Sequence, residues 1–491
     1  MPYILSIDQG TSSSRTILFN QNAEPICTHQ VEIHQFYPQQ DYVEQNPVEI
    51  LNSQLESAQT VLRNAKIDNK ELISIGITNQ RETTIIWNKK TGKAIYNAIV
   101  WQDQRTKAYC QTIDESTKKT IHKKTGLIVD PYFSATKIKW ILDTVPEARK
   151  MANNNELLFG TVDCWLVWNL SKGSYHITDV SNASRTMLFN INTLEWDTDL
   201  LELFDIPKSI LPNVVASSGK LAQTDPSIFG ISIPIGSMIG DQQAALFGQT
   251  CFDAGMIKNT YGTGCFMLMN TGKKAKLSEN GLLTTIAWKI GNETSYALEG
   301  SIFMAGAAIK WLRDQLQLIK DASETESLAY SVENNGGVIV IPAFSGLGAP
   351  YWNADVNGTV LGLTLGTNKA HIVRATLESI AYRTKDILSI MEKESGTQLT
   401  KLSADGGAAN NQFLMQFQSD LLNIPVQLSS HNEITALGAA YLAGIAAGIW
   451  DIEQIKKIHQ ISQTYQPKMK KNESKQLYQA WLKAVKKHLS I

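Results

Sequence analysis

The segment Asp8-Gln9-Gly10-Thr11-Ser12-Ser13-Ser14-Arg15 follows an apolar run and joins an acid to a turn of small hydroxyl residues. In such a turn the backbone N–H groups and the hydroxyls of Thr11, Ser12 and Ser13 can surround phosphate oxygens. Asp8 can orient Mg2+ through water, because that ion sheds its water reluctantly. Arg15 can bring positive charge to a group in transfer. Tyr261-Gly262-Thr263-Gly264 repeats this vocabulary, letting backbone approach phosphate closely with the Thr263 hydroxyl as a further donor. A third segment, 403–411, sets paired glycines between a strand-like run and the helical FLMQFQSDLL. It leaves room for a flat ligand such as adenosine at a helix N-terminus. Taken singly, each of the three also reads as an ordinary turn.

Two further segments carry charge. Gly240-Asp241-Gln242-Gln243 follows the strand-like run 233–239 and opens a helix. A carboxylate there can accept the proton of an attacking hydroxyl, cap the helix, or do both. Asn79-Gln80-Arg81-Glu82-Thr83-Thr84 places adjacent opposite charges between two apolar strands. Arg81 can donate to, and Glu82 accept from, neighbouring hydroxyls, with Trp101, Tyr132 and Phe266 as apolar walls. The alternative is a surface hairpin carrying an ordinary salt bridge. The chain has no G-x-x-x-x-G-K-[ST] loop, no H-R-D or D-F-G pair, and no G-x-G-x-x-G, H-E-x-x-H or G-x-S-x-G. A bound nucleotide would therefore be held by paired hairpin loops, as in actin, hexokinase and Hsp70.

The elements that position these residues alternate. Short β-branched runs at 3–7 and 73–77 read as strands, and 48–64 has helical spacing after Pro47, a pattern that predicts α/β domains. With 491 residues, 43% of them apolar, the chain exceeds one hydrophobic core, and two domains are expected, 1–250 and 251–491. The second half restarts in the manner of the first: 255–264 and then an apolar strand, as 8–15 precedes 16–19. Two related domains facing across a cleft follow from that duplication. The run 435–450 predicts a buried helix too short to span a bilayer, and the basic C-terminal stretch an amphipathic one. A formal net charge of −1 gives no reason for nucleic acid or an anionic membrane as the main partner. Five scattered cysteines suggest neither a disulfide framework nor a zinc site, and an N-terminus without a basic stretch argues against a signal peptide. A cytoplasmic protein without stable membrane insertion is expected.

Taken together and in order, 8–15, 76–84, 96–106, 130–143, 182–191, 240–249 and 259–272 resemble the FGGY family of carbohydrate kinases. In the second half 279–288, 344–352, 374–384 and 435–444 extend the resemblance. It implies two ribonuclease-H-like domains of the actin/hexokinase/Hsp70 type facing across a catalytic cleft. It also implies transfer of the ATP γ-phosphoryl group, with Mg2+, to a terminal hydroxyl of glycerol. Asp241 would be the base and Gln242 its neighbour on the substrate. Arg81, Glu82 and Tyr132 would bind hydroxyls, and Trp101 and Phe266 would lie against the carbon side. Thr11, Ser12, Ser13, Arg15, Thr263, Gly306, Lys310, Gly407 and Asn411 would contact the nucleotide, and Asp8 the Mg2+ shell. A homodimer or homotetramer is implied as well. Ser12 stands where the family usually has Thr, and Lys310 where Gln is common. The loop 224–232 has neither the His nor the Arg through which some relatives are regulated, so neither control is expected. The rival readings are another polyol or sugar kinase of the family, and an actin- or Hsp70-type ATPase switch.

Overall fold

A computed structural model describes residues 1–489 apart from Ser345, Trp352 and Ala354, so part of the 344–352 motif lies outside the described residues. Thirteen of the described strands form one sheet. In chain order they are β1 (Tyr3–Gln9), β2 (Ser13–Phe19), β3 (Pro25–Glu32), β4 (Leu72–Asn79), β5 (Ser218–Gln223), β6 (Pro234–Gly240) and β7 (Ile257–Tyr261). There follow β8 (Cys265–Gly272), β9 (Leu283–Ile290), β10 (Glu293–Ile302), β11 (Leu402–Asp405), β12 (Val426–Ser429) and β13 (Ile461–Tyr465).

Their spatial order is β13-β12-β11-β7-β8-β10-β9-β5-β6-β4-β1-β2-β3. In the first half β1, β2 and β3 run antiparallel, while β4 and β6 lie parallel to β1. In the second half β7, β8 and β10 are antiparallel, and β11 and β12 run parallel to β7. The duplication read from the sequence is thus a duplication of topology. The halves are joined in the sheet by a single pair, Ser218 with Ile290.

Six helices matter to the site: α1 (Pro47–Ala65), α2 (Asp241–Gly248), α3 (Gly306–Asp314), α4 (Gln412–Leu422), α5 (Ile434–Ala446) and α6 (Lys471–Leu489). Pro47 at the first turn and an Asn46 cap start α1, as expected for a residue whose missing N–H is no loss there. The run read as a buried helix is α5, apolar on all sides. Although it belongs to the second half of the chain, it lies on the strands of the first. The hydroxyls of Ser6, Ser237 and Ser218 donate to the α5 carbonyls of Ala436, Ala439 and Leu442, each at 2.7 Å. These three carbonyls recur every third residue and so share one helix face.

Small residues permit that approach. A Cβ on Gly438 would lie 1.9 Å from the Ala244 carbonyl oxygen of α2, and one on Gly248 2.3 Å from that of Ile434. Around α2 and α5 a buried apolar cluster draws Ile4 and Phe19 from one half and Leu268 and Ala297 from the other. The two units separable along the chain therefore share a core at this point.

Candidate active site

The turn between β4 and the next strand delivers Arg81 and Glu82. It is no surface hairpin: the following strand, Ile85–Asn88, leaves β4 and pairs with Leu157–Gly160, and both charged side chains are buried. Glu82 has φ +59°, a left-handed conformation costly for a residue with a Cβ. Such strain gathers where a side chain must be aimed.

Arg81 and Glu82 barely touch each other, at 3.8 Å. Each is held by a partner that sequence reasoning missed. Arg81 is bidentate to Glu299 of β10, through Nη1 to Oε2 at 2.5 Å and Nη2 to Oε1 at 3.0 Å. Arg185 donates from Nε to Glu82 Oε1 at 2.6 Å and from Nη2 to Glu299 Oε1 at 3.0 Å. Two guanidiniums and two carboxylates thus form a closed, dry ring across the two halves. Burial alone would push Glu299 up, but the Arg185 and Arg81 guanidiniums outweigh it and hold the carboxyl down to about 2. For Glu82, burial wins over the same two arginines and its carboxyl is raised. Arg185 leaves Glu82 Oε2 free of any hydrogen bond to the described residues, so that oxygen remains available to a ligand.

Asp241 opens α2 at the end of β6. Its Oδ1 accepts from the Gln242 N–H at 2.7 Å and lies 3.3 Å from Arg81 Nε, and its side chain keeps 28% exposure toward the cleft. Burial pushes the carboxyl above its usual range, and Arg81 and the Gln242 N–H pull it back in part. A carboxylate in that state is suited to take a proton. The short helix Val180–Ala183 ties the two charged segments together. Its Ser181 Oγ accepts from Gly240 N at 2.9 Å, and Asn182 exchanges hydrogen bonds with Asn79 at 3.0 and 3.1 Å.

Beside this ring is a cavity of about 640 Å³ walled by Trp101, Tyr132, Phe266, Glu299 and Phe303. The Trp101 ring meets Tyr132 edge-on at 5.6 Å and Phe266 at 6.5 Å. Tyr132 accepts from Arg81 Nη2 at 3.3 Å, completing a box with apolar sides and a polar floor.

The phosphate-binding vocabulary lies on two hairpin turns at matching places in the duplicated topology, β1–β2 and β7–β8. Ser12 and Thr263 are exposed at their tips. Thr11 divides from its neighbours: its hydroxyl accepts from Trp101 Nε1 at 2.9 Å, which joins the first turn to the aromatic box. Arg15, opposite Asp8 in the β1–β2 pair, donates to Gln30 at 3.0 Å and pairs with Glu433 just before α5.

Gly306 begins α3, its N–H donating to the Gly262 carbonyl at 3.0 Å, and Lys310 is exposed on that helix. Between β11 and α4, Gly406 has φ +91°, and a Cβ there would lie 2.6 Å from the Tyr261 carbonyl oxygen. Gly407 has nothing within 4 Å of the same construction, so its backbone is open to a ligand. Asn411 caps α4 by accepting from Leu414 N and donates to Thr325 at 3.0 Å.

Among the described residues no group of three or more His, Cys, Asp or Glu could hold a metal ion. Asp8 is pushed up to about 7, chiefly by burial, with Arg15 pulling it down and Asp241 pushing it further up. A buried carboxylate raised further by a second one nearby suits a cation brought in on phosphate, which needs few protein ligands.

An aromatic-walled cavity beside a buried charged ring, with a carboxylate against that ring and paired Gly/Ser/Thr hairpins on a duplicated α/β frame, is the equipment of a phosphotransferase. The chain belongs to the FGGY family of carbohydrate kinases, whose N-terminal domain profile matches residues 3–248 and C-terminal domain profile residues 257–447. It is 56% identical to a glycerol kinase of Clostridium botulinum over 487 residues, covering 99% of this chain and 98% of that protein. Against glycerol kinase 2 of Thermotoga maritima the identity is 54% over 491 residues, covering 100% and 99%. The crystal structure of Plasmodium falciparum glycerol kinase with ADP superimposes with a TM-score of 0.95 at 38% identity, covering 100% and 98%. A xylulose kinase of Lactobacillus acidophilus, at 22% identity and a TM-score of 0.87 over 98% and 96% of the chains, shares the fold.

Proposed function

We propose that the protein transfers the γ-phosphoryl group of ATP to a terminal hydroxyl of glycerol, giving ADP and glycerol 3-phosphate. The observation that carries this reading is the Asp241 carboxylate 3.3 Å from Nε of Arg81, the residue whose Nη2 donates to Tyr132 of the aromatic box. Arg81 and Tyr132 meet the polyol hydroxyls as donors and Glu82 Oε2 as acceptor, while Trp101 and Phe266 cover the carbon side. Gln242 fixes the hydroxyl next to the one that reacts. As the terminal, reacting hydroxyl oxygen bonds to the γ-phosphorus, its proton passes to Asp241, and the bond to the β,γ-bridging oxygen breaks with its electron pair staying on ADP.

The nucleotide lies along the second half: phosphates between the two turns at Thr11, Ser12, Ser13, Arg15 and Thr263, and the adenosine between Gly306, Lys310, Gly407 and Asn411. Asp8 would hold Mg2+, which when bound would supply charge neutralisation to the phosphates. Residues 1–250 form the polyol unit and 251–491 the nucleotide unit, working in the cytoplasm. The resemblance supports a homodimer or homotetramer, and the loop 224–232 an enzyme without phosphocarrier or fructose bisphosphate control.

The test is ADP release from Mg·ATP with glycerol, beside xylulose, gluconate and erythritol. Strong stimulation by glycerol alone is expected. Stimulation by a longer sugar would redraw the pocket, and turnover indifferent to every polyol would overturn the reading.

A further inference from the structure

Lys258 lies on β7, three residues before the second phosphate turn, and is 0% exposed. Its ammonium has three N–H groups and forms no ion pair with any described carboxylate. The two bonds it makes go to neutral oxygens: Gln242 Oε1 at 2.5 Å and Thr260 Oγ1 at 3.0 Å. Lys137, the other fully buried lysine among the described residues, bonds the backbone carbonyl of Tyr132 at 2.6 Å. Lys258 differs in bridging the strand that leads to a phosphate turn and the helix start that carries the base.

An unpaired ammonium enclosed in protein is costly, and an anion arriving beside it offsets that cost. The anion with access to the space between Asp241 and the two turns is the terminal phosphate of a nucleotide. Burial pushes the Lys258 pKa down to about 8, against the pull of Asp405 on β11 and Asp241 on α2; Arg81 pushes the same way as burial and Glu299 against it.

We propose that Lys258 is a phosphate-contacting residue of this site, its third N–H meeting the terminal phosphoryl group while the others hold Gln242 beside the base. The proposal rests on the reading of the site as one of phosphoryl transfer. In the transfer itself Lys258 neither gains nor loses a proton. It stays an ammonium facing the phosphoryl oxygens while the hydroxyl proton goes to Asp241 and the bridging electron pair to ADP. A fixed charge aimed where charge accumulates needs no reorganisation at the moment of reaction.

The test compares wild type with Lys258→Met and Lys258→Gln for Mg·ATP and Mg·ADP affinity by calorimetry, glycerol-dependent kcat, and thermal midpoint. Both neutral variants are expected to lose about 10-fold in ATP affinity and to keep ADP affinity within about twofold. The kcat should fall on the order of 10²-fold. Lys258→Gln retains an amide donor and so separates loss of charge from loss of packing. Equal loss of ATP and ADP affinity, a kcat within threefold of wild type, or unfolding of both variants would overturn the proposal. A wild type without glycerol-dependent turnover would remove the glycerol reading, and the ratio of ATP to ADP affinity would still decide the role of Lys258.

Discussion

Replacing Glu299 by Gln removes one negative charge from the centre of the buried ring and keeps its shape. Glu299 accepts three hydrogen bonds, two from Arg81 and one from Arg185, and is 2% exposed. The fall of its carboxyl from 4.5 to about 2 corresponds to about 3 kcal/mol at about 1.4 kcal/mol per pH unit. Breaking a buried ion pair from one side costs about 3–5 kcal/mol. Because the folded carboxyl titrates below the unfolded one, this stabilisation is fully present above pH 4.5 and is lost as pH falls toward 2. At pH 7 Glu299→Gln should lower the thermal midpoint by about 6–12 °C, at about 2–4 °C per kcal/mol for a unit of this size. Arg81 loses its anchor as well, so KM for glycerol should rise about 10-fold, with a smaller change in KM for ATP. Differential scanning fluorimetry and a coupled ADP assay measure both. A second substitution, Arg185→Met, in the Glu299→Gln background should cost less than it does alone, because a surplus buried cation is removed. A midpoint within 2 °C of wild type together with an unchanged glycerol KM would refute the reasoning.

Asp241→Asn should keep the fold and ADP affinity while kcat falls about 10²-fold or more; near-normal turnover in a folded variant would remove Asp241 from the mechanism. Gly438→Ala drives a methyl into the α2 backbone and should destabilise by about 3 kcal/mol, read as a fall in urea midpoint; an unchanged midpoint would show that α2 and α5 can separate freely. Burial lowers the His176 pKa to about 4 from the ordinary 6.5, so the unfolded chain takes up the proton first on acidification. Stability should therefore fall between pH 6.5 and 4, by about 2 kcal/mol at pH 5 from this group. His176→Gln should flatten the acid side of the midpoint-against-pH curve, and parallel curves would exclude the histidine.

Local chemistry was legible where it sits next to a local cue. The two turns, the helix start at Asp241 and the paired glycines at 406 and 407 each stand at a change from strand period to turn residues. The chain therefore announces them. The run 435–450 was read as a buried helix for the same kind of reason. What the helix covers was not legible, because its carbonyls meet serines of β1, β5 and β6 more than two hundred residues away.

Glu299, Arg185 and Lys258 escaped for a related reason. Glu299 and Lys258 are lone charges inside strands, Arg185 sits in the turn after a short helix, and the partners of each come from the other half of the chain or from distant segments of its own. The usable signal was the mismatch itself: an acid in ALEGS or a cation in NASRTML, where the neighbours call for burial. Buried charge without a local partner implies a distant one or a ligand. Arg81 and Glu82 were expected to act as a pair, yet each binds a residue that the sequence alone could not match to it.

The crossing of α5 onto the opposite strands limits how this protein can be inherited. A first half cut away at residue 250 would lose the helix that covers β1, β4 and β6, and would expose Ile4, Phe19 and Ile239. It would also leave Arg81 and Arg185 facing each other without the carboxylate that reconciles them. The halves share one strand plan, but they are not interchangeable parts. Recombination that joined the first half of one lineage to the second half of another would have to bring a matching glycine-faced helix and a matching acid together. The two must therefore change in step.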